Sequence, residues 1–231
     1  RCDQMDEGTD ELQNEMWDDC HARNAKFLYE NFISLEALWI KLGQYISSRA
    51  DVMPKAYLEE LSKCQDALPP RSFDETKAII EKQFNKKISE IFSYLDPVPL
   101  AVASVASVHK GVLLDGSSVV VKVQHENVAG LLLQDLDCLQ TIGDTVKALD
   151  PDFDMSPVVR EWAKELPKEL DFNREASNML RVQRGLKPYY KSDNKKLCID
   201  VKLAKLMNEY VSDKVLIMEY IDGFKVDNQK K

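Results

Sequence analysis

Apolar residues recur at three- and four-residue steps over Leu35, Leu38, Trp39, Leu42, Tyr45 and Ile46, the period of a helix that buries one face. Residues 15–48 therefore read as one long helix or two broken ones. Pro54 stands where the next helix, PKAYLEELSKCQDAL, opens, and Pro69-Pro70 close it. SFDETKAIIEKQFN follows, with Ser72 as N-cap and Glu75 at the capping-box spacing. A further short helix is expected over ISEIFSYL, ending at Asp96-Pro97. From Leu100 to Val123 the period changes. Apolar residues alternate or run together, Val is dense, and Asp115-Gly116 separates two such runs, which predicts a β-hairpin. Helix returns over NVAGLLLQDLDCLQTIGDTVKAL and from Ser156 to about Arg184, with Pro167 marking a break or restart. Short strands follow, LCIDVKL with the weaker pattern and VLIMEYI with the clearer one. The predicted class is α+β: a small antiparallel sheet with helices on one side, after a helical extension.

Composition narrows the function. Of the net charge of −8, a balance of −7 falls on residues 1–20, where eight acids face Arg1. This stretch reads as a solvated arm or frayed helix, and the near-neutral remainder offers no basic face for nucleic acid. The five Cys are scattered without a CxxC pair, and the three His lack metal-ligand spacing. Reduced thiols, a reducing interior and no structural metal are expected. No apolar run reaches the length of a membrane span.

Three stretches and one oddity carry candidate chemistry. Lys122 interrupts Val119, Val120, Val121 and Val123, as an edge-strand lysine would. It is also where a strand-borne lysine contacts nucleotide phosphates, which requires a carboxylate on a following helix. KELPKELDFNREASN supplies Glu165, Glu169, Asp171 and Glu175, although a solvated charged helix has the same composition. PLAVASVASVHKG has small residues where a backbone could approach a ligand, or where a hairpin packs tightly. No GxG occurs in the chain. The oddity is Gly43, inside the best-formed helix, where it costs about 1 kcal/mol relative to Ala.

Taken in order, Lys41-x-Gly43-Gln44, the Ala-rich loop ending in Val-His, VVVKVQH and KELDFNREASN resemble the UbiB-type (aarF/ABC1-like) atypical kinase family from about Leu35 to Gly223. The resemblance implies an acidic arm at 1–20 and a helical extension at 21–97. A protein-kinase-like N-lobe at 98–231 then ends just past the hinge, with the C-lobe absent. It implies Lys122 as the ATP-contacting lysine, Glu175 as its helix partner, and Ala101, Val102, Ala103 and Ser104 as the loop that replaces a Gly-rich one. Met218 would be the gatekeeper, with the backbone of Glu219 and Ile221 facing adenine. Lys41, Gly43 and Gln44 would form the helix motif that covers the site. Gly43 would let that helix pack closely on the nucleotide lobe while Lys41 points at Glu169 and Asp171, the family's Glu-x-Asp motif.

The implied cofactors are ATP and Mg²⁺, with most Mg²⁺ ligands in the C-lobe. The implied setting is prenyl-quinone or lipid metabolism in a mitochondrion or plastid, with a membrane surface or lipid-biosynthesis complex as possible partner. The alternative is a non-catalytic, pseudokinase-like binding module. The sequence departs from the family at Ala106-Ser107-Val108-His109, where Gln is usual at position 107. It also lacks the His-x-Asp loop and Mg²⁺ motif of phosphoryl transfer. The apolar stripe with Trp17, Phe27, Phe32 and Trp39 is expected to pack on the lobe rather than dock on a membrane.

Overall fold

In the computed structural model, residues 7–66, 68–151, 154–186 and 202–223 are described. Helices α1 (Glu7–Leu35), α2 (Ala37–Ser47), α3 (Lys55–Leu61) and α4 (Lys63–Asp66) form the extension. Helix α5 (Phe73–Phe84) follows, and β1 (Phe92–Leu95), β2 (Ala101–Val102), β3 (Ala106–Leu113) and β4 (Ser118–Gln124) begin the sheet. Helices α6 (Val128–Leu149), α7 (Ser156–Glu165) and α8 (Phe172–Leu186) precede β5 (Leu206–Val211) and β6 (Val215–Glu219). The sheet is antiparallel in the order β1-β3-β4-β6-β5, with β2 also on β3. This is the α+β class that the periodicities indicate, but with helices on both faces of the sheet rather than on one side, α5 on one and α2, α6 and α8 on the other.

The Val alternation of β4 sets the two faces of the sheet. Val119, Val121 and Val123 join Ile80 of α5, Phe92, Leu113, Val215 and Ile217 in one buried cluster. Each fully buried side chain of this size contributes about 1.5–3 kcal/mol. Lys122, Gln124 and the paired Leu216 lie on the opposite face. There a second core joins Leu38, Ile40 and Leu42 of α2 to Leu61 and Cys64, to Val128, Leu132, Leu136 and Leu139 of α6, and to Phe172. The extension is thus packed into the body of the fold. Phe32 and Trp39 share this core, whereas Trp17 and Phe27 remain 57% and 64% exposed, so only half of the aromatic stripe packs as expected.

The β3–β4 hairpin turns at Asp115-Gly116, where Gly116 adopts φ +85°. Asp115 Oδ1 accepts from the Ser117 N–H at 2.8 Å. The junction of α1 and α2 is less conventional. Glu36 lies at φ 64°, ψ −162° and Ala37 at φ 33°, conformations that cost a side-chain-bearing residue about 1–3 kcal/mol.

Three local expectations are corrected. ISEIFSYL is not a helix: Ile88–Glu90 form one 3-10 turn, and Phe92–Leu95 form β1 against β3. Gly111 permits this pairing, because a Cβ there would lie 3.1 Å from Leu95 Cδ1 and 3.2 Å from the Tyr94 carbonyl. Sheet closure outweighs the local helical pattern. Ser72 does cap α5, its Oγ accepting from the Asp74 N–H at 3.2 Å, but Glu75 does not complete a capping box. It turns instead to Arg71 and the Glu126 N–H. In LCIDVKL, residues 197–201 lie outside the described residues, and Lys202 and Leu203 are not in a strand; β5 begins at Leu206. Among the described residues, no helix is long and apolar enough to cross a membrane.

Candidate functional site

The polar face of β4 opens onto a cavity of about 640 Å³ walled by the 165–183 segment. Its lining includes Val105, Lys122, Glu165, Lys168, Glu169, Asp171, Arg174, Glu175, Met179 and Leu203. Lys122 Nζ lies 2.6 Å from Glu175 Oε2 and 4.7 Å above the Phe172 ring. A lysine mid-strand is thereby held extended by one carboxylate and one aromatic face. The partners are 53 residues apart, joined because Phe172 is buried in the core and fixes the start of α8 beneath β4.

Pro167 breaks the helical run, so Leu166–Leu170 form a 3-10 turn between α7 and α8. Gln124, two residues after Lys122 and so on the same face, donates to the Leu170 carbonyl at 2.9 Å. This bond holds the turn that carries Glu169. Glu169 Oε2 lies 2.6 Å from Lys41 Nζ, whose side chain is only 19% exposed. Asp171 Oδ1 caps α8 by accepting from the Asn173 N–H at 3.0 Å. Gln124 was absent from the sequence-derived candidates, although the period of a strand puts it on the face of Lys122.

Gln44 Nε2 donates to the Cys64 carbonyl at 3.0 Å, tying α2 to α4. Gly43 serves the same contact. A Cβ there would lie 2.8 Å from Cys64 Sγ and 3.1 Å from Phe32 Cδ2. The close approach that needs glycine is thus within the extension, on α1 and α4, and not onto the nucleotide lobe as expected. Burial pushes the Cys64 thiol up to about 11, so it is a neutral packing group.

The remaining sequence-derived residues lie apart from this cavity. Val102, Ala103 and Ser104 line a separate small cavity with Glu36, Ile40, Arg71 and His125, while Ala101 pairs with Val108. His125 Nε2 donates to the Ala103 carbonyl at 3.2 Å, and burial lowers its pKa to about 4. Met218 pairs with Val120 and Glu219 with Val119. The Glu219 N–H donates to the Lys205 carbonyl at 2.7 Å, and Ile221 follows the end of β6. At the departure from the family loop, Ser107 is buried and its hydroxyl lies 3.0 Å from His109 Nε2. His109 Nδ1 donates to the Asp96 carbonyl at 2.9 Å, so Nε2 is the acceptor for Ser107. Among the described residues, no three His, Cys, Asp or Glu are grouped to hold a metal ion.

The chain is similar to known proteins over most of its length. The profile of the ABC1 atypical kinase-like domain matches residues 63–231, leaving the Lys41 helix outside it. AarF domain-containing protein kinase 1 of Mus musculus is 32% identical over 209 residues, covering 90% of this chain and 38% of its own length. ACTIVITY OF BC1 COMPLEX KINASE 8, chloroplastic, of Arabidopsis thaliana is 33% identical over 210 residues, covering 88% and 26% respectively. The solved structure of Rv3197 with erythromycin, from Mycobacterium tuberculosis, aligns at a TM-score of 0.50 and 28% identity over 93% of this chain and 51% of that one. The chain spans about a third of the length of the curated relatives it matches. It belongs to the ABC1 (UbiB-type) atypical kinase family.

Proposed function

We propose that this chain is the ATP-binding portion of an ABC1-type kinase or ATPase, with its phosphate subsite in the cavity between β4 and α8. The observation that carries this reading is the Lys122–Glu175 pair at 2.6 Å on the cavity wall. A lysine held extended by a helix carboxylate presents a fixed ammonium to phosphate oxygens, and Lys168 and Arg174 on the same wall add positive charge. In this reading Val108, Val120 and Met218 floor the base, and Glu219 and Ile221 offer backbone groups to it. The loop Ala101–Ser104 does not line the cavity but leads directly into Val105 on its wall, and Lys41, paired with Glu169, covers the site. Glu165, Glu169 and Glu175 are each paired with a lysine and Asp171 caps α8, so these carboxylates do not form a Mg²⁺ site as they stand, and the Mg²⁺ ligands are assigned to the part of the relatives' length that this chain does not span. When bound, the metal supplies charge neutralisation of the phosphates.

The family resemblance extends the reading to prenyl-quinone or lipid metabolism in a plastid or mitochondrion, in keeping with the chloroplastic name of the Arabidopsis relative. A non-catalytic module that binds nucleotide without transferring phosphate uses the same residues. The test is thermal stabilisation by ATP with Mg²⁺. Ligand at a hundredfold excess over Kd stabilises the fold by about 2.7 kcal/mol, and Lys122→Ala is expected to abolish that shift. A Lys122→Ala chain that shifts as far as the parent overturns the assignment.

A further inference from the structure

Glu36 joins α1 to α2 in a backbone conformation suited to glycine, at φ 64° and ψ −162°, and Ala37 follows at φ 33°. It is pinned there from both sides. Its N–H donates to the Phe32 carbonyl at 3.0 Å, ending α1, and its own carbonyl accepts from the Trp39 N–H at 2.9 Å, opening α2. The backbone therefore holds Glu36 strained for as long as α2 sits in its place.

The Glu36 carboxylate is paired with the Arg71 guanidinium, whose side chain is 24% exposed. The other terminal nitrogen of Arg71 lies 3.2 Å from Glu75 Oε1. That same oxygen accepts the Glu126 N–H at 2.8 Å, at the corner between β4 and α6. One residue earlier, His125 holds the Ala103 carbonyl. Lys41 is five residues after Glu36, and Lys122 is three residues before His125. A single arginine thus links the root of the helix bearing Lys41 to the end of the strand bearing Lys122.

We propose that Arg71 is a positioning residue that keeps α2 in its strained seat, and with it Lys41 against Glu169. Swinging α2 away from the cavity lets Glu36 relax, so the strain favours the open state. The ion pair to Arg71 opposes it. The Glu36 backbone and the Arg71 guanidinium together form a loaded latch on a helix that Leu38, Ile40 and Leu42 also hold in the core, so that loss of the guanidinium raises the fraction of time α2 is open without unseating it permanently. The significance of this latch for ligand access rests on the nucleotide reading of the cavity; the latch itself does not.

The experiment is hydrogen exchange of the α2 amides, with the β4 amides as internal reference, alongside the rate at which acetic anhydride acetylates Lys41. Neither readout requires nucleotide. Arg71→Ala and Glu36→Ala retain the strained Cβ and lose the pair, so α2 exchange and Lys41 acetylation are expected to rise about tenfold or more while β4 is unchanged. Glu36→Gly loses the pair and the strain together, and is expected to leave both rates at or below the parent's. Glu36→Gly placed on Arg71→Ala is expected to restore the parent rates. If Glu36→Ala and Glu36→Gly move α2 exchange equally in one direction, the latch is refuted. An unchanged α2 in Arg71→Ala refutes it as well. Should Arg71→Ala raise β4 exchange together with α2, the comparison of Ala with Gly at position 36 decides by itself.

Discussion

Gly43→Ala isolates the reason for a glycine in the middle of α2. On an exposed helix this change stabilises by about 1 kcal/mol, because Ala loses less backbone freedom on folding. Here the added methyl meets Cys64 Sγ at 2.8 Å and Phe32 Cδ2 at 3.1 Å, and Cys64 is fully buried. Overpacking of this kind costs about 1–3 kcal/mol. The clash exceeds the propensity gain, so a net destabilisation of about 1 kcal/mol is expected, lowering Tm by about 2–4 °C for a domain of this size. Thermal and urea melts followed by circular dichroism measure it, with an unchanged m-value marking a difference in stability alone.

The diagnostic step is to repeat the substitution in a Cys64→Ala background. With Sγ removed, the nearest obstacle is gone and only the edge of Phe32 has to give. Gly43→Ala is then expected to change sign and stabilise by up to about 1 kcal/mol. If Gly43→Ala stabilises the parent, or if its cost is the same with and without Cys64 Sγ, the close α2–α4 approach does not explain the glycine.

Two pH dependences of opposite sign follow from buried groups. Burial lowers His125 to about 4 and also depresses His109, so both are neutral in the fold while the unfolded chain takes up protons near 6.5. Stability is therefore full above pH 6.5 and falls as the pH drops through the window towards 4, by about 1.4 kcal/mol per pH unit for His125. Urea melts at pH 7 and pH 5 test this, and equal stability at the two refutes it. Asp135, buried on α6 with Oδ2 lacking a partner, has its pKa raised by burial, while a hydrogen bond from Trp39 partly opposes the rise. Its contribution is full below the ordinary carboxylate pKa and is lost as pH rises through the raised value. Asp135→Asn is accordingly expected to raise Tm more at pH 7 than at pH 4; the reverse order refutes a carboxylate whose ionised form is disfavoured by burial.

Much of the fold was legible because its signals are periodic. The alternation of Val119, Val121 and Val123 marks a strand with one buried face, and Asp115-Gly116 marks its hairpin. Lys122 stood out as the polar interruption of that strand. The misreadings came where a distant partner decides the local structure. Phe92–Leu95 has a helical spacing but pairs with β3 across Gly111. Glu75 has capping-box spacing, yet Arg71 and the Glu126 N–H take its carboxylate. Nothing in the sequence near Gly43 names Cys64, and nothing near Glu36 reveals a backbone at positive φ or an arginine 35 residues away.

The acidic run of residues 165–175 shows how the site is assembled. On one continuous helix, Glu165 and Glu169, and likewise Asp171 and Glu175, would face each other four residues apart and repel. Pro167 breaks the helix, and each carboxylate then finds a different partner. Glu165 pairs with Lys168, Glu169 with Lys41, Asp171 caps α8, and Glu175 takes Lys122. Two of these partners are local. The other two come from α2 and β4, which are far apart in sequence and contribute to different parts of the fold. The eleven-residue segment is therefore where extension, sheet and α8 are held in register, and two of its four carboxylates are met by cations that line the cavity, Lys168 and Lys122. A phosphate drawn to Lys122 must compete with Glu175 for the ammonium. On the proposed reading, an anionic ligand acts on the same contacts that hold the walls together, Lys122–Glu175 on α8 and Lys41–Glu169 on the turn before it.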